Sequence, residues 1–305
     1  MPNARISLSF LLLSLIWGSS YLFIRIGVEQ ISPVALVALR LFFAALAITV
    51  IALWRHADLR PTRRSLVLLM ALAAVNTTIP FLLISWGEVQ VQSGLAAVLN
   101  STTPIFSILI AHLLLRDESL TLPRAAGIVI GFLGVLLVFS GGLSGGAVRW
   151  ETLLSEGAIV VAAACYATSA VSVRRWLGGV PSLTISAYTI WFAAIQSIVI
   201  SLIFSPPPLA TMHGRTWFAV IWLGVLGSAI AYLLYYFLIM NWGASRATLV
   251  TYVVPAVGLV LGAVFLSEVI GWRVLAGAVL IIGGIVLAGL KRRPAPTAVA
   301  EHAAT

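Results

Sequence analysis

The sequence predicts an all-α membrane protein with ten transmembrane helices, arranged as two inverted five-helix repeats around a central cavity. Three observations predict this fold: the composition, ten long apolar runs, and a second half that repeats the first. Of the 305 residues, 61% are hydrophobic and 9% are charged, whereas a soluble domain carries about 25% charged residues. Nearly all charges lie between the apolar runs, which is typical of a membrane protein.

Each apolar run is long enough to cross a bilayer, which takes about 20 helical residues. Lipid offers no partner for backbone groups, and these runs do not alternate as barrel strands do, so each is predicted to be a helix. The predicted helices are residues 6–27, 33–54, 65–86, 93–115, 123–141, 154–176, 182–204, 216–239, 246–266 and 272–290. Residues 291–305 are rich in alanine and proline and are predicted to be a disordered cytoplasmic tail.

The basic residues predict the orientation of the helices. With a cytoplasmic amino terminus, 13 arginines and lysines fall in cytoplasmic segments and four in external ones, while Arg40 lies within the second helix. Cytoplasmic loops of membrane proteins carry this excess of positive charge. We therefore expect a multi-pass protein of the inner (plasma) membrane with both termini in the cytoplasm. The net charge of +9 reflects this topology, and no nucleic-acid partner is expected.

The two halves of the chain match each other along the sequence. The matches, at offsets of 149 to 151 residues, pair Trp17 with Tyr166, Ser20 with Ser169, Pro104 with Pro255, Glu118 with Glu268, Gly127 with Gly277 and Gly134 with Gly284. Because each half has an odd number of helices, the second half enters the membrane in the opposite sense. Such inverted repeats are typical of transporters with a site near the midplane. The predicted units are residues 1–145 and 146–290, and a duplication kept only for packing is the alternative.

Short motifs in both halves resemble a known family. They are Trp17-Gly18-Ser19-Ser20, Ser32-Pro33 with Arg40, Pro104 with Glu118 and Gly127, Ala244-Ser245-Arg246-Ala247, Pro255, Glu268 and Gly277. With them, residues 10–290 resemble the EamA-type transporters of the drug/metabolite transporter superfamily. The resemblance implies small-molecule transport, with helices 5 and 10 outside the ring around the cavity. It leaves the substrate open, because members export amino acids, nucleosides, amines and other metabolites.

Polar and aromatic side chains within the predicted helices are candidates for the substrate site. Tyrosine and tryptophan combine apolar area with one hydrogen-bond donor, which suits an amphipathic metabolite. For the aromatic residues the alternative is the belt at the membrane interface. The predicted substrate-binding residues are Trp17, Ser20, Tyr21, Arg40, Asn76, Thr77, Asn100, Thr103, Tyr166, Ser169, Trp191, Gln196, Tyr232 and Tyr252.

Arg40 is the most informative of these residues. It lies about seven residues into the second helix, which is roughly 10 Å along the helix axis. A cation inside the membrane is costly and usually functional, so Arg40 is a candidate partner for a substrate carboxylate. The alternatives are that it extends towards the outer surface or pairs with a backbone carbonyl.

Pro104 and Pro255 are predicted hinges in helices 4 and 9. Proline removes one helical hydrogen bond and clashes with the carbonyl four residues earlier, which belongs here to Asn100 and Thr251. A kink satisfied by serine and threonine side chains of the same helix is the alternative. Glu118 and Glu268 follow these helices and are expected to pair within loops or cap the next helix.

Some features of the sequence limit the function. No Asp or Glu lies at the centre of a predicted helix, whereas the small multidrug-resistance relatives depend on a carboxylate in their first helix. We therefore expect a uniporter or weakly coupled carrier of a neutral or zwitterionic solute. The sequence shows no catalytic constellation and no metal-ligand spacing, so neither an enzyme nor a cofactor is expected.

The predicted function is therefore transmembrane transport by alternating access, in the direction of export, of amino acids or similar small amphipathic metabolites. A proton-coupled drug or amine exporter and a non-enzymatic membrane scaffold are the alternatives. The expected partners are a small-molecule substrate and the lipid bilayer, and the expected oligomeric state is a monomer or weak homodimer.

Overall fold

A computed structural model describes residues 4–57, 59–114, 120–141, 149–177, 179–242 and 249–289. The regular elements among these residues are all helical. The predicted tail at 291–305, the motif at 244–247 and Glu118 lie outside the described residues.

Ten helices follow one another through the described ranges. They are α1 (Ala4–Val28), α2 (Pro33–Trp54), α3 (Arg63–Gly87), α4 (Ser93–Leu114), α5 (Leu122–Phe139), α6 (Trp150–Trp176), α7 (Ser182–Phe204), α8 (Gly214–Ile221, Trp222–Ile230 and Ala231–Trp242), α9 (Val250–Leu266) and α10 (Trp272–Gly289). Within the described residues, nine of them are long and apolar enough to cross a membrane, and α9 is a shorter apolar helix of 17 residues. The predicted all-helical membrane fold is confirmed.

Several helix boundaries follow from local sequence. The Ser32 side chain caps α2 by accepting a hydrogen bond from the backbone N–H of Ala35 at 3.2 Å, and Pro33 occupies the first turn. Helix α4 is interrupted after Asn100 and resumes at Thr103, so that Pro104 lies in the first turn of the second segment. In a first helical turn the backbone N–H has no partner within the segment, so proline removes no hydrogen bond there.

Two helices contain wide, π-helical turns that the sequence did not predict. In α3 the π-helical turn covers Ala74–Thr78, and in α8 it covers Trp222–Ile230. The two helices occupy equivalent places in the two repeats. Such turns are frequent at functional sites because they redirect side chains out of the regular helical pattern.

The packing of the helices follows an inverted twofold arrangement. Helix α1 packs on α9, and its equivalent in the second repeat, α6, packs on α4. In the same way α2 packs on α8, and its equivalent α7 packs on α3. The pairs α2–α7, α4–α9 and α5–α10 join equivalent helices of the two repeats. Exchanging the repeats therefore reproduces the observed neighbours. With five helices in each half, the relating axis lies in the membrane plane.

Helices α5 and α10 pack closely on each other along glycines. A Cβ atom placed on Gly134 would lie 2.8 Å from the carbonyl oxygen of Gly277, and one on Gly127 would collide with the carbonyl of Gly284. The glycines therefore allow close contact between helices of one chain. Large apolar side chains point outwards from the bundle, as Phe204 and Val279 do with exposed fractions of 76% and 71%, which suits contact with lipid.

Candidate functional site

Polar side chains from both repeats meet inside the bundle, and we call this group the central polar cluster. It consists of Tyr21 on α1, Arg40 on α2, Asn76 on α3, Asn100 on α4, Tyr166 and Ser169 on α6, and Ser228 and Tyr232 on α8. All but Ser228 are among the predicted substrate-binding residues. The structure therefore brings residues separated by up to 211 positions to one place (232 − 21 = 211).

Arg40 points into the bundle and not towards the outer surface. Its side chain is 5% exposed, its Nε donates a hydrogen bond to the Ser228 hydroxyl at 3.1 Å, and its guanidinium lies 3.7 Å above the Phe81 ring. The phenol groups of Tyr166 and Tyr232 are within electrostatic range of this cation. A guanidinium has five N–H donors, so donors beyond Nε are suited to binding a carboxylate.

The π-helical turns place the polar groups around Arg40. Asn76 in the turn of α3 donates to the Tyr232 hydroxyl at 3.3 Å, and its Oδ1 accepts from the Ser169 hydroxyl at 2.8 Å. Ser228 lies in the turn of α8 and donates to the carbonyl of Leu223, five residues earlier, at 3.0 Å. Both turns thus direct side chains towards the same interior space.

Asn100 extends the cluster to α4 and α1. Its Nδ2 donates to the Tyr21 hydroxyl at 2.7 Å, and both side chains lie within the bundle. The Oδ1 atom of Asn100 is buried and has no hydrogen-bond partner among the described residues. A buried acceptor without a partner costs about 1–3 kcal/mol, so this atom is suited to a donor group on a bound solute.

A pocket towards one end of the bundle borders the cluster at Ser169. It lies between α3 and α6, has a volume of about 190 Å³, and Ser169 belongs to both the pocket and the cluster. Its other lining residues are Leu68, Ala71, Leu72, Val75, Thr168, Ser172, Trp176 and Leu177. By the predicted orientation this pocket lies in the cytoplasmic half, and it combines apolar walls with three hydroxyl groups, as small-molecule sites do.

Other predicted site residues border the cluster. Trp17 stacks at a tilt on Tyr235 with ring centroids 5.3 Å apart. The Ser20 hydroxyl donates to the carbonyl of Ile16, and Thr103 donates to that of Asn100. Thr77 is 1% exposed and neighbours Asn76 in the π-helical turn. The role of these residues in substrate binding stays a prediction.

Three predicted site residues lie elsewhere. The Trp191 ring donates to the Thr49 hydroxyl at 2.9 Å, which holds α7 against α2. Gln196 accepts from the Thr78 hydroxyl at 2.8 Å and so joins α7 to α3. Tyr252 packs on the hydrophobic cluster shared with α5 and α10. These contacts join helices to one another, and the hydrogen bonds of Trp191 and Gln196 go to residues outside the central polar cluster. Their role in substrate binding stays a prediction.

The two predicted hinges differ in local structure. Pro104 follows the interruption of α4, whereas Pro255 lies inside the continuous helix α9. The carbonyl of Asn100, which Pro104 would leave without a partner, accepts from the Thr103 hydroxyl at 2.8 Å. The hinge function of both prolines stays a prediction.

Three acidic residues have positions that the sequence did not indicate. Glu88 is 0% exposed and Glu156 is 3% exposed, and Glu156 lines a pocket of about 260 Å³ at the opposite end of the bundle from the first pocket. Glu268 caps α4 in the other repeat, since its carboxylate accepts from the backbone N–H groups of Ser93 at 2.7 Å and Gly94 at 3.0 Å. The sequence predicts pairing within a loop or a cap on the next helix, and the inverted packing of α9 on α4 explains why the carboxylate caps α4 instead.

The side chains that could hold a metal ion are scattered in the part of the chain that the structure describes. Within the described ranges, no group of three or more His, Cys, Asp or Glu side chains lies close enough to hold one. Cys165 is a free thiol on α6. The cluster instead combines one cation, tyrosine hydroxyls and amides, which is chemistry for binding a polar solute.

Comparison with known proteins gives the family of this chain. The profile of the EamA-like transporter family matches residues 5–140 and again residues 153–290. The chain belongs to the EamA-like transporter family. The double match corresponds to the two repeats seen in the fold, while the predicted boundary between residues 145 and 146 lies outside the described residues and stays a prediction.

Relatives of this EamA-like transporter are themselves named as transporters. The uncharacterized transporter YoaV of Bacillus subtilis is 25% identical over 92% of this chain and 95% of its own. The uncharacterized inner membrane transporter YedA of Escherichia coli K12 is 31% identical over 82% of this chain and 79% of its own. A probable terminal-alkyne amino-acid exporter of Streptantibioticus cattleyicolor is 27% identical, with 89% of each chain covered.

A solved crystal structure has the same fold as this EamA-like transporter. It superposes with a TM-score of 0.66, at 19% identity, over 94% of this chain and 97% of the other. The family, its relatives and the apolar helices together show a multi-pass membrane protein that transports a small molecule.

Proposed function

We propose that this protein exports amino acids or similar small amphipathic metabolites by alternating access. The central polar cluster is the proposed substrate site, and Arg40 is the proposed partner of the solute carboxylate. The observation that carries the proposal is the Arg40 guanidinium, held inside the bundle by Ser228 and Phe81. An ionisable side chain retained inside a membrane protein marks a substrate or ion pathway.

The surroundings of Arg40 favour a solute with both polar and apolar parts. The hydroxyl groups of Tyr21 and Tyr232 and the free acceptor of Asn100 offer hydrogen bonds, while the tyrosine rings offer apolar surface. A bare organic cation is disfavoured, because it would meet the positive charge of Arg40 without compensation. The relative named as a probable amino-acid exporter supports the same class of substrate.

The proposed cycle uses the inverted repeats. The two repeats rock against each other, so that the cluster faces the cytoplasm in one state and the outside in the other. The pocket that reaches Ser169 is the proposed entry route from the cytoplasmic half. In this proposal the protein lies in the inner membrane with both termini in the cytoplasm. It acts as a monomer, since the glycines of α5 and α10 make their close contacts within the chain.

Counterflow in proteoliposomes tests this function. Vesicles with the purified protein are loaded with one unlabelled solute at millimolar concentration, and uptake of the same labelled solute is followed, using a panel of amino acids, amines and nucleosides. We expect exchange for at least one amino acid, and weaker exchange of that amino acid by Arg40→Gln. Absence of exchange for every amino acid, in protein that remains folded, would contradict the proposal. A thermal-shift screen gives a second readout, because a bound solute stabilises the protein.

A further inference from the structure

Glu88 is an acidic side chain with unusual surroundings at the end of α3. It directly follows Gly87, the last residue of that membrane-spanning helix, and its side chain is 0% exposed. Neither carboxyl oxygen has a hydrogen-bond partner among the described residues. Glu268, at the same end of the bundle, differs sharply, because two backbone N–H groups at the start of α4 bind its carboxylate. The fold thus stabilises one carboxylate and leaves the other without a partner.

The nearest cations do not pair with Glu88. Arg25 on α1 donates through Nη1 to the backbone carbonyl of Glu88 and, at 2.9 Å, to that of Val89. Arg40 on α2 uses its Nε for Ser228. Both arginines are within electrostatic range of the Glu88 carboxyl, but neither forms a salt bridge with it in the described residues.

The remaining groups around Glu88 add no positive charge. The Glu268 carboxylate interacts with it repulsively, and the Tyr21 hydroxyl, which is also within range, is held by Asn100. Helix α6 packs against the end of α3 through Ile159. The acidic residue on that stretch of α6, Glu156, lines the separate 260 Å³ pocket.

Burial and charge together determine the protonation of Glu88. An unpaired buried carboxylate costs several kcal/mol, so the group takes up a proton instead. Burial, and next the charge of Glu268, raise the pKa of Glu88 well above its usual range, while Arg25 and Arg40 act in the opposite direction. Between the usual and the raised pKa, the empty protein with Glu88 buried therefore holds one more proton than a state in which a cation or water meets the carboxylate.

We propose that Glu88 holds a proton in the empty protein and exchanges it for the ammonium group of the solute. This inference rests on the proposed function, since an amino acid brings both the carboxylate for Arg40 and the ammonium for Glu88. In the inward-facing state of this cycle, the cavity reaches Glu88 from the cytoplasm while the outer end is closed. There the solute ammonium pairs with the Glu88 carboxylate, and the displaced proton leaves through the same cavity to cytoplasmic water. After the solute leaves outside, Glu88 takes a proton from the external solution. Each cycle moves one zwitterion out and one proton in.

The proposed coupling differs from the carrier expected from the sequence, which was a uniporter or weakly coupled. The difference arises because Glu88 lies just beyond a helix end, where the sequence alone does not indicate burial. One proton per solute allows an inward pH gradient of one unit to sustain a solute gradient of about tenfold.

The first test is independent of the solute. Infrared spectra of the reconstituted protein at neutral pH report the carbonyl stretch of protonated carboxylic acids. We expect Glu88→Gln to remove a component of this band that Glu156→Gln, which alters the other buried carboxyl, leaves in place. Identical wild-type and Glu88→Gln spectra would overturn the proposal, whatever the protein transports.

The second test measures the exchange of proton and solute. A pH indicator in weakly buffered solution follows protons released when an amino acid that shows counterflow is added to the protein. We expect about one proton per bound solute for the wild type and Glu156→Gln, and none for Glu88→Gln. Binding without proton release would overturn the coupling while leaving the proposed function intact. If no amino acid exchanges in counterflow, the proposed function and this inference both fall.

Discussion

Replacing Arg40 with glutamine removes the positive charge from the central polar cluster and keeps a polar side chain near Ser228. The guanidinium is 5% exposed and pairs through Nε with one hydroxyl, so its other donors are available to a solute carboxylate. We expect Arg40→Gln to weaken binding of amino acids and to leave binding of the corresponding amines, which lack the carboxylate, unchanged or improved. Arg40→Lys keeps the charge without the planar fork, and we expect an intermediate effect.

The size of the effect follows from the bonds that are lost. A hydrogen bond to a charged group contributes about 1.5–3 kcal/mol, and each 1.4 kcal/mol corresponds to about tenfold in affinity. Losing one such bond in Arg40→Gln therefore raises the KM for amino-acid exchange about 10- to 100-fold. The variant also loses the contact with Phe81, so a lower Tm is expected, because a desolvated cation–π contact contributes about 2 kcal/mol.

Counterflow measured over a range of solute concentrations tests this prediction. Arg215→Gln is the matched control, because its side chain is 61% exposed and its ion pair with Glu29 is long, at 3.8 Å; exposed pairs of this kind contribute little. We expect the control to keep the wild-type KM. The reasoning is refuted if Arg40→Gln exchanges amino acids with the wild-type KM, or if its exchange of amines is weakened as much as its exchange of amino acids.

Three further predictions concern stability and motion. Gly134→Ala introduces a Cβ atom 2.8 Å from a carbonyl of α10, and we expect a loss of about 1–3 kcal/mol, seen as a lower Tm than for Gly283→Ala, where nothing lies within 4 Å. Glu268→Gln weakens the cap on α4 by about 1 kcal/mol, and we expect a lower Tm. Glu151 is exposed, so Glu151→Gln is the control and is expected to keep the wild-type Tm. Equal Tm values for the two variants would argue against the cap. Pro104→Ala favours a continuous α4, so we expect slower counterflow with unchanged solute binding in the thermal-shift assay, and an unchanged rate would contradict the hinge.

The order and span of the helices were predictable from hydropathy alone. The predicted spans 33–54 and 182–204 coincide with the observed helices α2 and α7. The inverted arrangement followed from the repeat and the odd helix number. These features depend on local composition and periodicity, which a linear sequence displays directly.

The contacts inside the bundle were only partly predictable. Candidate polar residues were identifiable because each of them stands out within an apolar helix. The sequence did not indicate which of them face the same space. Tyr252 and Asn100 are both polar residues within apolar helices and are equally good candidates from the sequence. In the structure, Tyr252 packs towards α10, whereas Asn100 donates a hydrogen bond to Tyr21. The π-helical turns in α3 and α8 also shift side-chain directions. Pro80 follows the turn of α3, and Gly224 and Gly227 lie within the turn of α8, but these residues do not by themselves specify a π-helical turn.

The acidic residues show a similar limit. Glu88 lies at a helix end, where a carboxylate is ordinarily hydrated, yet it is fully buried, because α6, α2 and α1 pack against this end of α3. The cap that Glu268 provides on α4 joins the two repeats across 175 positions (268 − 93 = 175). Neither fact follows from sequence neighbours, because both depend on the register between the halves.

Access to the central polar cluster from both sides of the membrane tests the alternating-access account most directly. In a Cys165→Ala background, Ser20→Cys places a thiol beside Gly227 in the interior, and Val279→Cys places one on the lipid-facing surface. Oriented membrane vesicles are treated with a membrane-impermeant thiol reagent on one side at a time. We predict that the thiol at position 20 is modified from either side and protected by transported solute, while the thiol at 279 is not modified. Modification of position 20 from a single side, with and without solute, would contradict alternating access.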